Sequence, residues 1–274
     1  MSRRAQALSL ARAVMGRLGR HDLVLLAAGL TFFAMIAVVP LLLVALWATG
    51  LLIGSEQLAV LFQRLLAYAP ESLGFRDRLA SLAEIGSSLS LLAFVAALVP
   101  ATSYGEGLVR AFDRLAEEES RAKGVRGRLL SLLLLAVLPL LVLTGLAAVA
   151  TLPDLLGFGP FAQVLGVYLT FLVCWAAATA LLAVTYRWFS PVTLDWRPLL
   201  WGAASTGSFL SGMSLGWVLV LRFGVSVGRA YGGSALAGQL VLFAIYLYLV
   251  QAVCLVGFGL TLELVERRRR PQGD

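Results

Sequence analysis

Charge is scarce in this chain. Only 14% of its 274 residues are charged, and 60% are hydrophobic. Soluble globular domains are about a quarter charged and about half apolar. With a mean hydropathy of +0.89, the composition departs from a water-soluble globule in both directions at once. Disorder is excluded, because disordered chains are poor in apolar residues. Cysteine is almost absent: Cys174 and Cys254 both lie in apolar runs. Two such residues support neither a disulfide framework nor a zinc cluster, and both read as small core residues.

Catalytic groups are equally sparse. The one histidine, His21, sits between Arg20 and Asp22 at the edge of an apolar run. No H-x-H or D-x-D spacing occurs, so a metal-dependent phosphoryl-transfer site lacks its ligands. No glycine-rich phosphate loop with lysine is present either, which leaves ATP-driven chemistry unsupported. The expectation is a non-enzyme with no cofactor and no metal.

What the chain does have is charge-free runs. They cover residues 23–55, 85–105, 129–153, 155–186, 198–221 and 230–262. A transmembrane helix needs ~20 mostly apolar residues, and each run is long enough. None alternates with a period of two, which argues against a membrane β-barrel. The first run exceeds a signal-peptide core of ~7–15 residues. The expected fold is all-α: a polytopic membrane protein with a bundle of six transmembrane helices.

The basic residues orient the bundle. With the N-terminus in the cytoplasm, seventeen Lys and Arg residues fall inside and five outside, a strong positive-inside bias. Residues 1–22 then form a cytoplasmic basic segment, 23–264 the six-helix domain, and 265–274 a cytoplasmic basic tail. The clusters flank spans where topology demands them, so no nucleic-acid partner is expected, whereas membrane lipids are. Residues 54–84, the longest external segment, suit amphipathic outer helices separated at Pro70. Arg110–Arg128 reads as a helical extension of span two, ending in a turn at Gly124.

Polar groups inside a membrane are costly, so each is a candidate site. Span two ends in Pro100, Thr102, Ser103, Tyr104, Glu106 and Arg110. Glu106 and Arg110, four apart with the acid first, suit a helical ion pair. Two readings stay open: a helix-end pair at the interface, or a polar floor beneath a cavity. Span five has a face of small residues that includes Gly202, Gly207, Ser211, Gly212 and Gly216. Such a face suits either close packing at the bundle centre or a groove for a lipid chain. Tyr104, Glu106, Arg110, Gly207, Ser211 and Gly212 are therefore the candidate cavity or substrate contacts. Pro40, Pro100 and Pro139 can kink their helices. Tyr231-Gly232-Gly233 suits a tight turn, and Glu263 suits a helix-end pair with Arg267.

In order along the chain stand Leu30-Thr31-Phe32-Phe33 with Pro40-Leu41-Leu42, then Tyr104 to Leu115, then Tyr186-Arg187-Trp188-Phe189-Ser190-Pro191. Trp196-Arg197, Gly202, Tyr231-Gly232-Gly233, Tyr246-Leu247-Tyr248, Gly257 and Glu263 follow. This order and spacing, over roughly residues 20–265, resembles the YihY/BrkB family of bacterial inner-membrane proteins. Asp113 departs from the pattern, where asparagine is expected. The resemblance implies six spans in the bacterial inner membrane and no securely established activity. Some members have carried a ribonuclease label, which the missing catalytic groups do not support here. The function expected from residues and resemblance together is a transporter, or a translocator of a lipid or other amphiphile. The alternative is a non-transporting envelope scaffold that binds partners.

Overall fold

A computed structural model describes residues 3–54, 56–60, 91–119, 127, 130–131, 160–222 and 235–269. The described residues are helical, with short connections and no strand. Among the described residues six long helices run in order: α1 (Arg3–Arg20), α2 (Leu23–Ile53), α3 (Leu91–Ala116), α4 (Pro160–Phe189), α5 (Trp196–Arg222) and α6 (Ala235–Arg269). The all-α expectation holds. Almost all of span three, most of the 54–84 segment, Pro139, Gly124 and the Tyr231-Gly232-Gly233 turn lie outside the described residues.

Apolar length decides which helices can cross a membrane. Among the described residues, Leu23–Pro40 of α2, Val164–Phe189 of α4 and Ala237–Arg269 of α6 are long and apolar enough. α3 carries Glu106, Arg110, Asp113 and Arg114, and α5 is built on Gly, Ser and Thr, which lowers their hydropathy. Phe32, Val39, Leu92, Val99, Phe161, Val164, Phe209 and Leu240 are all exposed. Exposed large apolar side chains in this number suit contact with a bilayer, which would cover them.

The N-terminal basic segment is itself a helix, α1. Leu10, Val14 and Leu18 recur every four residues, so one stripe of α1 is apolar. Val14 and Leu18 are buried, and α1 lies against α6. The turn at His21-Asp22 then starts α2. Asp22 adopts a left-handed backbone (φ 49°) and its Oδ1 accepts from Leu25 N at 3.3 Å, an N-cap that satisfies one orphan donor.

α3 ends earlier than the sequence suggested. Glu117 takes φ 56°; its N–H reaches Arg114 O at 3.4 Å, and that of Glu118 reaches Asp113 O at 3.3 Å. These are the two bonds of a Schellman cap, so the helix stops at Ala116 and does not run toward Gly124.

The central position belongs to α6, where the sequence had suggested span five. Among the described helices, α6 packs against α1, α2, α3 and α5, whereas α5 packs chiefly on α4 and α6. Close approach is made possible at Gly257 of α6, where an added Cβ would lie 2.6 Å from Tyr186 Oη and 2.8 Å from Thr206 Cβ. Cys174, expected in the core, is exposed on α4, while Cys254 is half-buried on α6.

Candidate membrane-embedded site

An internal cavity of about 240 Å³ lies between α2, α3, α4, α5 and α6. Its polar end is made by Tyr104 of α3 and Gln251 of α6. The Tyr104 hydroxyl donates to Gln251 Oε1 at 3.0 Å, and Gln251 is only 4% exposed. Ser131 and Thr185 add hydroxyls, while Leu30, Leu182, Leu210 and Leu255 supply apolar wall. Ser131 donates to Gly127 O at 2.9 Å, its own helical carbonyl four residues back. A mostly apolar chamber with a few placed polar groups is the usual form of a small-molecule site.

Phe112 and Tyr186 add aromatic rings to the lining. Phe112 and Phe258 stack with centroids 3.9 Å apart and planes 9° from parallel. Tyr186 meets Phe112 edge-on at 5.9 Å, a preferred geometry for such rings. Its hydroxyl donates to Cys254 O at 2.8 Å, so the polar tip is satisfied without opening the stack.

One end of the bundle gathers the charge. Arg17 of α1 is buried there. Its Nε donates to Glu263 Oε1 at 3.1 Å, its Nη1 donates to Leu115 O at 3.1 Å, and its Nη2 reaches Glu266. A single guanidinium therefore ties α1 to α3 and α6, which suits the fork of five donors that arginine carries. Arg269 Nη2 donates to Thr193 O at 2.9 Å, and Arg187 Nη1 donates to Leu194 O at 2.5 Å. The α4–α5 connection is thus fastened to the same end. His21 Nε2 lies 3.0 Å from Glu117 Oε1. That hydrogen bond, followed by the charges of His21, Arg20 and Arg17, holds the Glu117 carboxyl below its ordinary range.

The candidate residues do not converge. Tyr104 lines the internal cavity. Glu106 and Arg110 do pair, with Arg110 Nη2 2.5 Å from Glu106 Oε1, but outside that cavity. The Arg110 side chain is 63% exposed and borders a separate cleft of about 910 Å³, together with His21, Asp113, Arg114 and Glu117. A pair this exposed contributes ~0–1 kcal/mol. From α5, Leu210 rather than Gly207, Ser211 or Gly212 reaches the cavity.

The small face of α5 is also redistributed. A Cβ on Gly207 would lie 3.1 Å from Thr179 N, and one on Gly202 would lie 3.1 Å from Thr261 Cβ. These glycines are buried in tight contacts, and Ser211 is buried as well. Gly212 and Gly216, expected to pack centrally, are exposed, with nothing within 4 Å among the described residues. The reason is rotation: at about 100° per residue, Gly212 points about 140° and Gly216 about 180° away from Gly207. The Glu263–Arg267 pair is corrected too. Glu263 faces Arg17, and Arg267 donates to Ser9 Oγ at 3.2 Å.

Sequence reasoning missed Arg17 and Gln251. A signal for Arg17 existed in the Leu10, Val14 and Leu18 stripe, which places residue 17 at the edge of a packed helical face. For Gln251 the signal was one of two amides, with Gln239, within the long apolar run of span six.

No curated protein and no solved structure matches the chain. The family model of the virulence factor BrkB matches residues 14–274, nearly the full length. The apolar helices, the exposed large apolar side chains and this match together identify the chain as a membrane protein of the Virulence factor BrkB family.

Proposed function

We propose that the protein is a multi-pass translocator of a lipid or another amphiphile in the bacterial inner membrane, using the chamber between α2 and α6. The chamber of about 240 Å³ at the Tyr104–Gln251 pair carries this reading. An apolar wall suits a hydrocarbon portion, and the hydroxyl–amide end suits a polar one. In this reading six spans cross the membrane, both termini are cytoplasmic, and membrane lipids are the natural partners. The chain acts without catalysis, cofactor or nucleic acid.

The decisive measurement is movement of labelled lipid in liposomes that contain the purified protein. Ala178 lines the chamber, so Ala178→Phe fills it. The variant is expected to lose movement while its melting temperature in detergent stays close to wild type. Wild-type vesicles that move lipid no faster than protein-free vesicles would overturn the proposal. The aromatic packing of Phe112, which lines the chamber, against Phe258 is the observation favouring a non-transporting membrane scaffold.

A further inference from the structure

A second groove, about 640 Å³ in volume, lies between the start of α5 and the end of α6, with Leu10 of α1 also on its border. Arg197, Arg267 and Arg268 border it near the start of α5 and the end of α6, and Trp201, Leu260 and Leu264, further along the same helices, form its wall. We infer that this groove is a binding site for one anionic phospholipid, with the arginines holding the phosphate and the apolar wall holding the first part of an acyl chain.

Charge complementarity supports the anion. No Asp or Glu borders the groove among the described residues. The acids of the same helix, Glu263 and Glu266, are turned toward Arg17. Arg197 and Arg268 are exposed, and among the described residues neither forms an ion pair or hydrogen bond within the chain. Arg267 is steadied by its bond to Ser9 Oγ at 3.2 Å. Guanidinium groups suit phosphate, because they can donate two parallel hydrogen bonds.

The wall selects a lipid over a free ion. From Arg268 to Leu260 the helix descends eight residues, about 12 Å at 1.5 Å per residue. Leu264 lies halfway, and Trp201 sits about one turn inward of Arg197. Trp201 is 72% exposed, a cost in water and an advantage beside an acyl chain. A basic pocket between helices above an apolar wall is the arrangement that recognises anionic headgroups. The site is separate from the internal chamber and does not depend on translocation.

The test uses the full chain in detergent, with retained lipid counted by native mass spectrometry. Phosphatidylglycerol and phosphatidylcholine are the probes. Wild type should retain the anionic lipid in preference to the zwitterionic one. Combined Arg197→Gln and Arg268→Gln should weaken that retention about tenfold or more, worth about 1.4 kcal/mol per tenfold. Combined Arg4→Gln and Arg12→Gln, which remove the same charge from exposed positions on α1, should leave it unchanged. Equal losses in both variants, no preference for phosphatidylglycerol, or displacement by inorganic phosphate would each overturn the inference. A readout independent of the arginine variants is quenching by brominated acyl chains. Brominated phosphatidylglycerol should quench wild-type tryptophan fluorescence more than brominated phosphatidylcholine, and Trp201→Phe should remove the excess. Persistence of that excess in Trp201→Phe would place the lipid elsewhere.

Discussion

Arg17 Nε donates to Glu263 Oε1 across 3.1 Å, joining residues 246 positions apart in the chain. The two side chains are 7% and 13% exposed, so both charges are largely removed from water. Burying ions is expensive, and the pair is sustained because the same guanidinium also satisfies Leu115 O. Removing one partner strands the other.

The first prediction concerns that pair. Arg17→Gln should destabilise the protein by about 3–5 kcal/mol, the cost of breaking a buried pair from one side. Combining it with Glu263→Gln should recover a measurable part, since the more buried of the two carboxylates that Arg17 faces is then gone, while Glu266 is nearer to water. Melting temperatures of wild type, both singles and the double in one detergent give the coupling. Strict additivity would show that the pair contributes nothing as a pair.

Glycine positions on α5 provide the second. Gly202→Ala drives a methyl toward Thr261 Cβ at 3.1 Å and should cost about 1–3 kcal/mol through overpacking. Gly212→Ala meets nothing within 4 Å among the described residues. It should leave stability unchanged or raise it by up to about 1 kcal/mol, because alanine is the better helix former. Thermal unfolding of the two variants checks the order, and reversal of that order would place Gly212 in the packed face.

These two cases show which parts of the structure the sequence could convey. Long apolar runs identified α2, α4 and α6, although α6 continues seven residues past its run to Arg269, because a bilayer-length helix is written in one contiguous segment. The i, i+4 spacing of Glu106 and Arg110 likewise gave their pairing. The sequence showed that α5 has small residues but not which of them face a neighbour. That depends on the rotation at which Thr179 and Thr261 meet the helix. Arg17 was grouped with the other basic flanking residues, since its partners Glu263, Glu266 and Leu115 are distant in the chain. Tyr104 was recognised as a candidate, whereas its partner Gln251 is fixed by the crossing of α3 on α6.

Acidity should loosen the contact between the α1–α2 turn and the end of α3. Glu117 has its carboxyl held below the ordinary value of 4.5 by the hydrogen bond to His21, then by the charges of His21, Arg20 and Arg17. A carboxyl depressed in the folded state stabilises the fold above its unfolded value. That contribution is lost as pH falls through the folded value. Glu117→Gln should therefore melt slightly below wild type at neutral pH, with the gap closing only when the pH is taken well below 4.5. A gap that stays constant across that range would remove ionic character from the contact. The expected shift is small, because Glu117 is exposed and screened by water.

The chamber itself makes the last prediction. Tyr104 donates to Gln251 Oε1 at 3.0 Å, and Gln251 is 4% exposed. Tyr104→Phe keeps the ring and removes the donor, leaving a buried amide oxygen short of a partner. An unsatisfied buried polar group costs about 1–3 kcal/mol, so the single variant should lose stability in that range. Gln251→Leu alone should leave the tyrosine hydroxyl without its acceptor and be destabilising in its turn. The double Tyr104→Phe, Gln251→Leu removes both polar groups and should lie above either single, because a matched apolar pair has nothing left unsatisfied. Stability measured on all four proteins thus reports whether the bond exists in the membrane-embedded fold. Lipid movement measured on the same four reports something different. If the hydroxyl–amide end receives the polar portion of the cargo, the double variant should be stable and yet slow to move lipid. A stable double variant with wild-type movement would leave Tyr104 and Gln251 as packing groups and remove them from the site.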